Sequence, residues 1–221
     1  MCGIVGAVSN KNIVHVLVQG LSRLEYRGYD SCGLAVVNDA QVLQRSRTTQ
    51  RVNDLEQNTK LLDGTRGIAH TRWATHGKPN TDNAHPHFSR DLIGVVHNGI
   101  IENHEEQSAR LKKLGYKFES ETDTEVIAHL IDHYHKKNDL LKSTQLATKD
   151  LMGAYAIAVI STENKDEIIC ARLGCPLIIG QGKSEYFAAS DISALIAITR
   201  KVIYLEDGDF AKLSKNNLEV F

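Results

Sequence analysis

Met1-Cys2-Gly3-Ile4-Val5-Gly6 opens the chain, and this stretch carries both a fold signal and a chemical one. Residues 3–8 are a short apolar run with glycines at Gly3 and Gly6, which predicts a buried strand beginning at the front of the chain. Cys2 stands directly before it. Initiator methionine is ordinarily cleaved when the next residue is small, so processing would leave a thiol and a free α-amine on one residue. Such an amine has a reference pKa of about 7.7–8.0, so a substantial neutral fraction exists near physiological pH. It can act as a general base, directly or through one water, for a thiol whose own pKa is near 8.5. Gly3 and Gly6 let backbone crowd around a reacting centre. The plain alternative is an incidental second-residue cysteine, and a retained Met1 would turn the amine into an amide and remove the base.

Working outward, residues 12–26 place Ile13, Val16, Leu17, Leu21 and Leu24 at helical spacing. Residues 34–37 and 41–45 read as a hairpin, and 67–71 as a further strand. Residues 73–90 are polar and rich in Gly, Pro, Asn and His, which predicts a long loop of the kind that usually carries function. Residues 92–97 read as a strand running into a tight turn at Asn98-Gly99. Helices are expected over 102–114, 124–136 and 140–151. The second opens on Glu121-Thr122-Asp123-Thr124-Glu125, residues suited to a cap and first turn. Strands then follow at 154–161, 167–171, 177–179, 186–189, 202–205 and 210–213, with a short helix at 191–198. Strands at both ends with helices between predict packed sheets covered by helices, an α+β layered domain.

Composition narrows the function classes. The 221 residues are 42% hydrophobic and 24% charged, the balance of an ordinary globular protein. Lys plus Arg is 26 against 27 for Asp plus Glu, so no basic surplus points to nucleic acid or a membrane surface. No apolar run approaches the roughly 18 residues of a membrane span. No basic segment precedes the apolar N-terminal run, so a secretory signal is not expected and a cytoplasmic location is. The cysteines Cys2, Cys32, Cys170 and Cys175 lack metal-site spacing, and the last three are expected to be reduced cytosolic thiols. His85-Pro86-His87 with His76 and His97 raises the thought of a metal. Their spacing matches no common zinc signature, and satisfied loop histidines are the expectation.

Five blocks, in order along the chain, carry a family likeness. They are Met1 to Gly6, Arg23-Leu24-Glu25-Tyr26-Arg27-Gly28-Tyr29-Asp30-Ser31, His70-Thr71-Arg72-Trp73-Ala74-Thr75-His76-Gly77, His97-Asn98-Gly99-Ile100-Ile101-Glu102-Asn103, and Glu121 to Glu125. The first resembles the start of the N-terminal-nucleophile (class II) glutamine amidotransferases. The others resemble the glutaminase domains of the glucosamine-6-phosphate synthases within that family. Phosphoribosyl-pyrophosphate amidotransferases and asparagine synthetases share the chemistry but resemble these blocks less. The resemblance implies a four-layer αββα sandwich of two mainly antiparallel sheets over residues 1–221, with the sugar-isomerase domains absent from this chain. Cys32 departs from the family, which usually has alanine there, and is expected to be a buried thiol.

The same resemblance implies roles for particular residues. Cys2 would attack the side-chain amide of L-glutamine, with the Asn98 amide and the Gly99 N–H as oxyanion donors. Arg72 would hold the substrate α-carboxylate, for which the guanidinium fork is suited, and Asp123 the α-ammonium. On their own, Arg72 reads as a surface charge and Asp123 as a helix cap. Trp73, Thr75 and His76 are implied to belong to a loop closing over substrate, and Arg27 to order the pocket near the nucleophile. No cofactor or metal is implied. Partners would be L-glutamine, fructose 6-phosphate on a missing or separate isomerase half, and a second copy in a full-length homodimer. A non-catalytic glutamine-sensing module, a class II domain with another acceptor, and a hydrolase of other amides remain open.

Overall fold

The computed structural model describes residues 2–27, 30–73 and 77–221. The expectations for Met1, Thr75 and His76 lie outside them. The chain begins with β1 (Gly3–Ser9), α1 (Val14–Ser22) and a 3-10 turn (Glu25–Arg27), then β2 (Ser31–Val37), β3 (Leu43–Thr48), α2 (Val52–Asn58) and β4 (Arg66–Arg72). Next come β5 (His87–Ser89), β6 (Ile93–Ile101), α3 (His104–Lys113), α4 (Thr124–His135) and α5 (Leu140–Lys149). The remainder is strand: β7 (Gly153–Ser161), β8 (Glu167–Leu173), β9 (Ile178–Gln181), β10 (Glu185–Ala189), β11 (Val202–Tyr204), β12 (Phe210–Ser214) and β13 (Leu218–Val220), with a 3-10 turn at Ile192–Ala194.

The strands form two sheets. A seven-stranded sheet runs β11-β9-β10-β1-β4-β2-β3, and a six-stranded sheet runs β13-β12-β8-β7-β6-β5. Neighbouring strands within each are antiparallel. Side-chain alternation sorts three apolar layers. Ile4, Val8, Ile68, Val96, Ala156, Ala158 and Ile160 pack between the sheets. Val5, Ala7, Leu34 and Val36 turn the other way, against Leu17 and Leu21 of α1 and Val52 and Leu55 of α2. Val95, Ile157 and Val159 face Val126, Ile127 and Leu130 of α4. The layering is therefore αββα, as the likeness implied. Both faces of the central strands are covered, which is why they read as continuous apolar runs rather than as alternation. Each large apolar side chain withdrawn from water contributes about 1.5–3 kcal/mol, so these layers set the stability.

Several local expectations are corrected. The helix expected over 12–26 is Val14–Ser22, tightening into 3-10 turns as Leu24 N–H bonds to the Leu21 carbonyl at 2.8 Å. That shorter helix lies so close to β1 that a Cβ on Gly20 would come within 2.9 Å of Val5 Cγ1. The 41–45 strand is displaced to Leu43–Thr48. The expected 102–114 helix is His104–Lys113, and the one at 191–198 is a single 3-10 turn. Elements α2 and β13 had no counterpart in the sequence reading, and β5 lies inside the expected loop. Most consequentially, the Asn98-Gly99 turn does not form. Strand β6 continues to Ile101, because β7 pairs with it residue by residue from Ile93↔Ser161 to Ile101↔Gly153.

Candidate active site

The inter-sheet face changes character towards one end of the sandwich. Along β4 it carries Ile68, then His70, then Arg72; along β6 it carries Val96, then Asn98; along β1 it carries Val8, Gly6 and Ile4, with Cys2 next in line. The registers Ile4↔His70 and Gly3↔Thr71 bring these ends together. They open on a cavity of about 580 Å³, a size suited to a small metabolite. Its wall includes Cys2, Arg27, Arg72, Trp73, Asn98, Gly99 and Asp123. Every site residue named from the sequence that lies among the described residues is thus gathered at one place.

Cys2 sits where chain and loop meet. The Trp73 N–H points at Cys2 Sγ at 3.2 Å, and Sγ approaches the Trp73 carbonyl at 3.6 Å. Burial pushes the Cys2 thiol pKa up, against the opposing effect of the Trp73 N–H. The thiol is thus protonated at neutral pH and needs a base to attack anything.

Asn98 Nδ2 donates to the Cys2 carbonyl at 3.1 Å, fixing the carboxamide beside the nucleophile residue. Gly99 follows with φ at +135°, in a region that disfavours side chains. A Cβ there would run into the Ala154 carbonyl oxygen. Glycine is required at this position by two independent constraints, neither of which is a hairpin turn.

Arg72 and Asp123 supply opposite charges to the cavity wall. Arg72 is 3% exposed, so its reading as a surface charge is overturned. Its guanidinium is 3.4 Å from Asp30 Oδ1 and bonds the Gly77 carbonyl at 3.1 Å. Asp123 stands at the start of α4 without making a side-chain capping bond. Its Oδ2 instead accepts the Ile101 N–H of β6 at 2.8 Å. The carboxylate that organises the chain ahead of α4 is Glu125, which accepts N–H bonds from Glu119 at 2.8 Å and Ser120 at 2.7 Å. Burial alone would raise the Glu125 pKa, but these bonds and one from His129 outweigh it and bring it to about 2. Arg27 reaches from the 3-10 turn to the Ser190 carbonyl at 3.4 Å and to Asp191 at 3.3 Å. Ser190 Oγ in turn accepts the Ile4 N–H at 2.9 Å, so Arg27 braces the strand end next to Cys2. Trp73 is 55% exposed at the rim.

Behind Asn98 lies a stack of buried histidines. His70 and His85 are parallel with ring centroids 4.0 Å apart, and His87 meets His85 edge-on at 4.8 Å. His97 Nδ1 and His85 Nε2 both approach Thr124 Oγ1, at 3.0 and 3.4 Å. Burial holds all four neutral, pushing His70 and His87 down to about 3 and lowering His85 and His97 as well. Among the described residues no group of three or more His, Cys, Asp and Glu is arranged to hold a metal ion. Cys32 is buried, with its pKa pushed up to about 12 by desolvation, as suits a structural thiol. Cys175 differs: it shares the cavity wall with Cys2, a placement that the sequence reading had not foreseen. His85, Thr122, Thr124 and Glu102 also line the cavity unforeseen, although Glu102, Thr122 and Thr124 fall within blocks already singled out.

The two antiparallel sheets between helical layers, with a cysteine at the front of a central strand, define the N-terminal-nucleophile type of fold. The glutamine amidotransferase domain family matches residues 70–197, and the chain belongs to that family. It is 54% identical, over its whole length, to the glutamine–fructose-6-phosphate aminotransferase (isomerizing) of Xanthomonas campestris pv. campestris, and spans 36% of that protein. It is 53% identical to the enzyme of the same name from Pseudomonas aeruginosa, spanning 37% of it. Among solved structures, the glutamine phosphoribosylpyrophosphate amidotransferase of B. subtilis superposes over the whole chain with a TM-score of 0.84 at 25% identity, the chain spanning 49% of that protein. The chain thus spans little more than a third of the curated relatives it matches. Among the described residues no helix is long and apolar enough to cross a membrane.

Proposed function

We propose that the chain hydrolyses L-glutamine to glutamate and ammonia through a thioester on Cys2. The observation that carries this reading is the convergence of Cys2, Asn98, Gly99, Arg72 and Asp123 on one cavity wall. A buried cation and a carboxylate suit the two ends of a free amino acid, and the thiol suits its side-chain amide. A hydrolase of other amides would not need that pair of charges.

The proposed steps use the groups on that wall. With Met1 removed, the α-amine of Cys2 takes the thiol proton, which burial otherwise holds on sulfur. The thiolate attacks the carboxamide carbon, and the resulting oxyanion accepts hydrogen bonds from Asn98 Nδ2 and Gly99 N–H. The protonated amine passes its proton to the departing nitrogen, which leaves as ammonia. Water, activated by the same amine, then cleaves the γ-glutamyl thioester to glutamate and regenerates the thiol. Trp73, Thr75 and His76 would close over bound substrate, limiting water and directing ammonia. Arg27 would hold the strand end beside the nucleophile.

Kinship supports one acceptor for the ammonia. Relatives 52–54% identical over the whole chain are named glutamine–fructose-6-phosphate aminotransferases, whereas the phosphoribosylpyrophosphate amidotransferase structure is 25% identical. We therefore infer that residues 1–221 form the glutaminase domain serving conversion of fructose 6-phosphate to glucosamine 6-phosphate, the sugar being bound by isomerase domains outside this sequence. A cytoplasmic, dimeric full-length enzyme fits that role. The test is release of glutamate and ammonia from L-glutamine by processed wild-type chain and by Cys2→Ala. Turnover confined to the wild type supports the reading, and equal turnover in both ends it. Glutamine binding without turnover in the wild type would make the domain a sensor instead.

A further inference from the structure

An oxyanion donor is useful only if its N–H end faces the reacting atom, and a primary carboxamide can point either way. Asn98 is held from behind. His70 Nε2 lies 3.0 Å from Asn98 Oδ1 and 3.0 Å from the His97 carbonyl oxygen. Both neighbours of that nitrogen are then acceptors, so it carries the proton and donates to each. Turning the Asn98 amide over would set its oxygen against the Cys2 carbonyl, now bonded by Nδ2 at 3.1 Å. It would also set its NH2 against the His70 N–H. Two like-with-like contacts replace two hydrogen bonds, so one orientation is selected.

We propose that His70 is a positioning residue for the proposed reaction: its Nε2–H locks the Asn98 carboxamide with the NH2 end towards the nucleophile. The setting suits a fixed neutral donor. His70 is fully buried and stacks on His85 at 4.0 Å. Its Nδ1 has no hydrogen-bond partner among the described residues, as fits a bare lone pair rather than a second N–H. Desolvation keeps the ring neutral down to about pH 3, so the lock does not release over the working range. The Thr124 hydroxyl, shared between His97 and His85, ties the stack to the first turn of α4, one residue after Asp123. The donor end of the site and one wall of the substrate cavity therefore share a single buried scaffold.

The inference rests on Asn98 being an oxyanion donor, and the experiment separates the two claims. Glutamine hydrolysis is measured for wild type, N98A, H70Q, H70N and H70Q/N98A. The Gln side-chain amide places a nitrogen near the position of Nε2, whereas that of Asn places it near Nδ1. H70N is expected to lower kcat about 10- to 100-fold, part of the loss typical of a missing oxyanion donor, with KM for glutamine unchanged. H70Q is expected to retain most of the rate, and H70Q/N98A to be no slower than N98A. A merely structural role would make H70N and H70Q equally slow, or would change KM with kcat, and either result overturns the positioning claim. N98A slow with both His70 variants at wild-type rate overturns it too, leaving the oxyanion reading intact. N98A at wild-type rate removes the oxyanion reading itself.

Discussion

The same strands build two very different places. In the middle of the sandwich, Ile4, Ile68, Val96 and Ile160 pack into one buried apolar cluster between the sheets. Two residues further along β4 and β6, the same faces carry His70 and Asn98, then Arg72. Strand pleat delivers every second side chain to one face, so moving two residues along changes the environment without changing the backbone. The middle supplies stability, and the end holds the proposed site of chemistry. The hydrogen-bonded ladder between β1 and β4 gives the end a precision that a loop would not. Substitutions at the two places are therefore expected to fail in different ways.

The sharpest break comes at the chemical end. Cys2→Ala is expected to abolish glutamine hydrolysis while leaving the fold intact, which glutaminase assay and thermal melting check together. Asn98→Ala is expected to lower kcat by on the order of 10²–10³ with little change in KM, because the donor acts on a charge present only in the transition state. Arg72→Ala is expected to act on binding, raising KM for glutamine about 10- to 100-fold as a charge-assisted hydrogen bond worth roughly 1.5–3 kcal/mol is lost. In the middle, Ile160→Ala is expected to cost about 2–5 kcal/mol in urea unfolding, with kcat and KM as in the wild type. A kcat loss from Ile160→Ala, matched to its stability loss, would dissolve the distinction between the two places.

Acid supplies the mildest test. His70 and His87 are held down to about 3 in the folded state, against 6.5 when exposed. The unfolded chain therefore binds more protons between these values, and stability rises with pH. It is complete above about pH 6.5 and is lost progressively as pH falls towards 3. Glu125, with its pKa of about 2, adds to the loss below its usual 4.5. Urea unfolding at pH 7, 6 and 5 is expected to give steadily lower midpoints. A flat profile would mean the stack is protonated or hydrated in the folded state.

Much of this was legible in the chain. Apolar runs marked β1, β4 and β7, helical spacing marked α1, a cap-like opening marked α4, and strands at both ends with helices between gave the layered architecture. Nearly all the proposed site residues were named in advance, because their neighbours in sequence form dense motifs. What was not legible depended on contacts between distant segments. Asn98-Gly99 reads locally as a turn, yet β7 pairs straight through it. Asp123 has the composition of a cap, yet its bond goes to Ile101 on another element. Helix α2 buries only Val52 and Leu55, too few to show a period. Cys175 looked like any reduced thiol, and its place on the wall beside Cys2 is set by the loop after β8.

The central claim, that Cys2 at the processed front of the chain is the attacking thiol, has one direct test. Purified chain is treated with a glutamine-shaped diazoketone, and its intact mass and the labelled peptide are determined. The account predicts protein lacking the methionine mass, one adduct, on Cys2, and loss of turnover in step with labelling. An adduct on Cys175 alone, or full glutaminase activity in protein that still carries Met1, would contradict it.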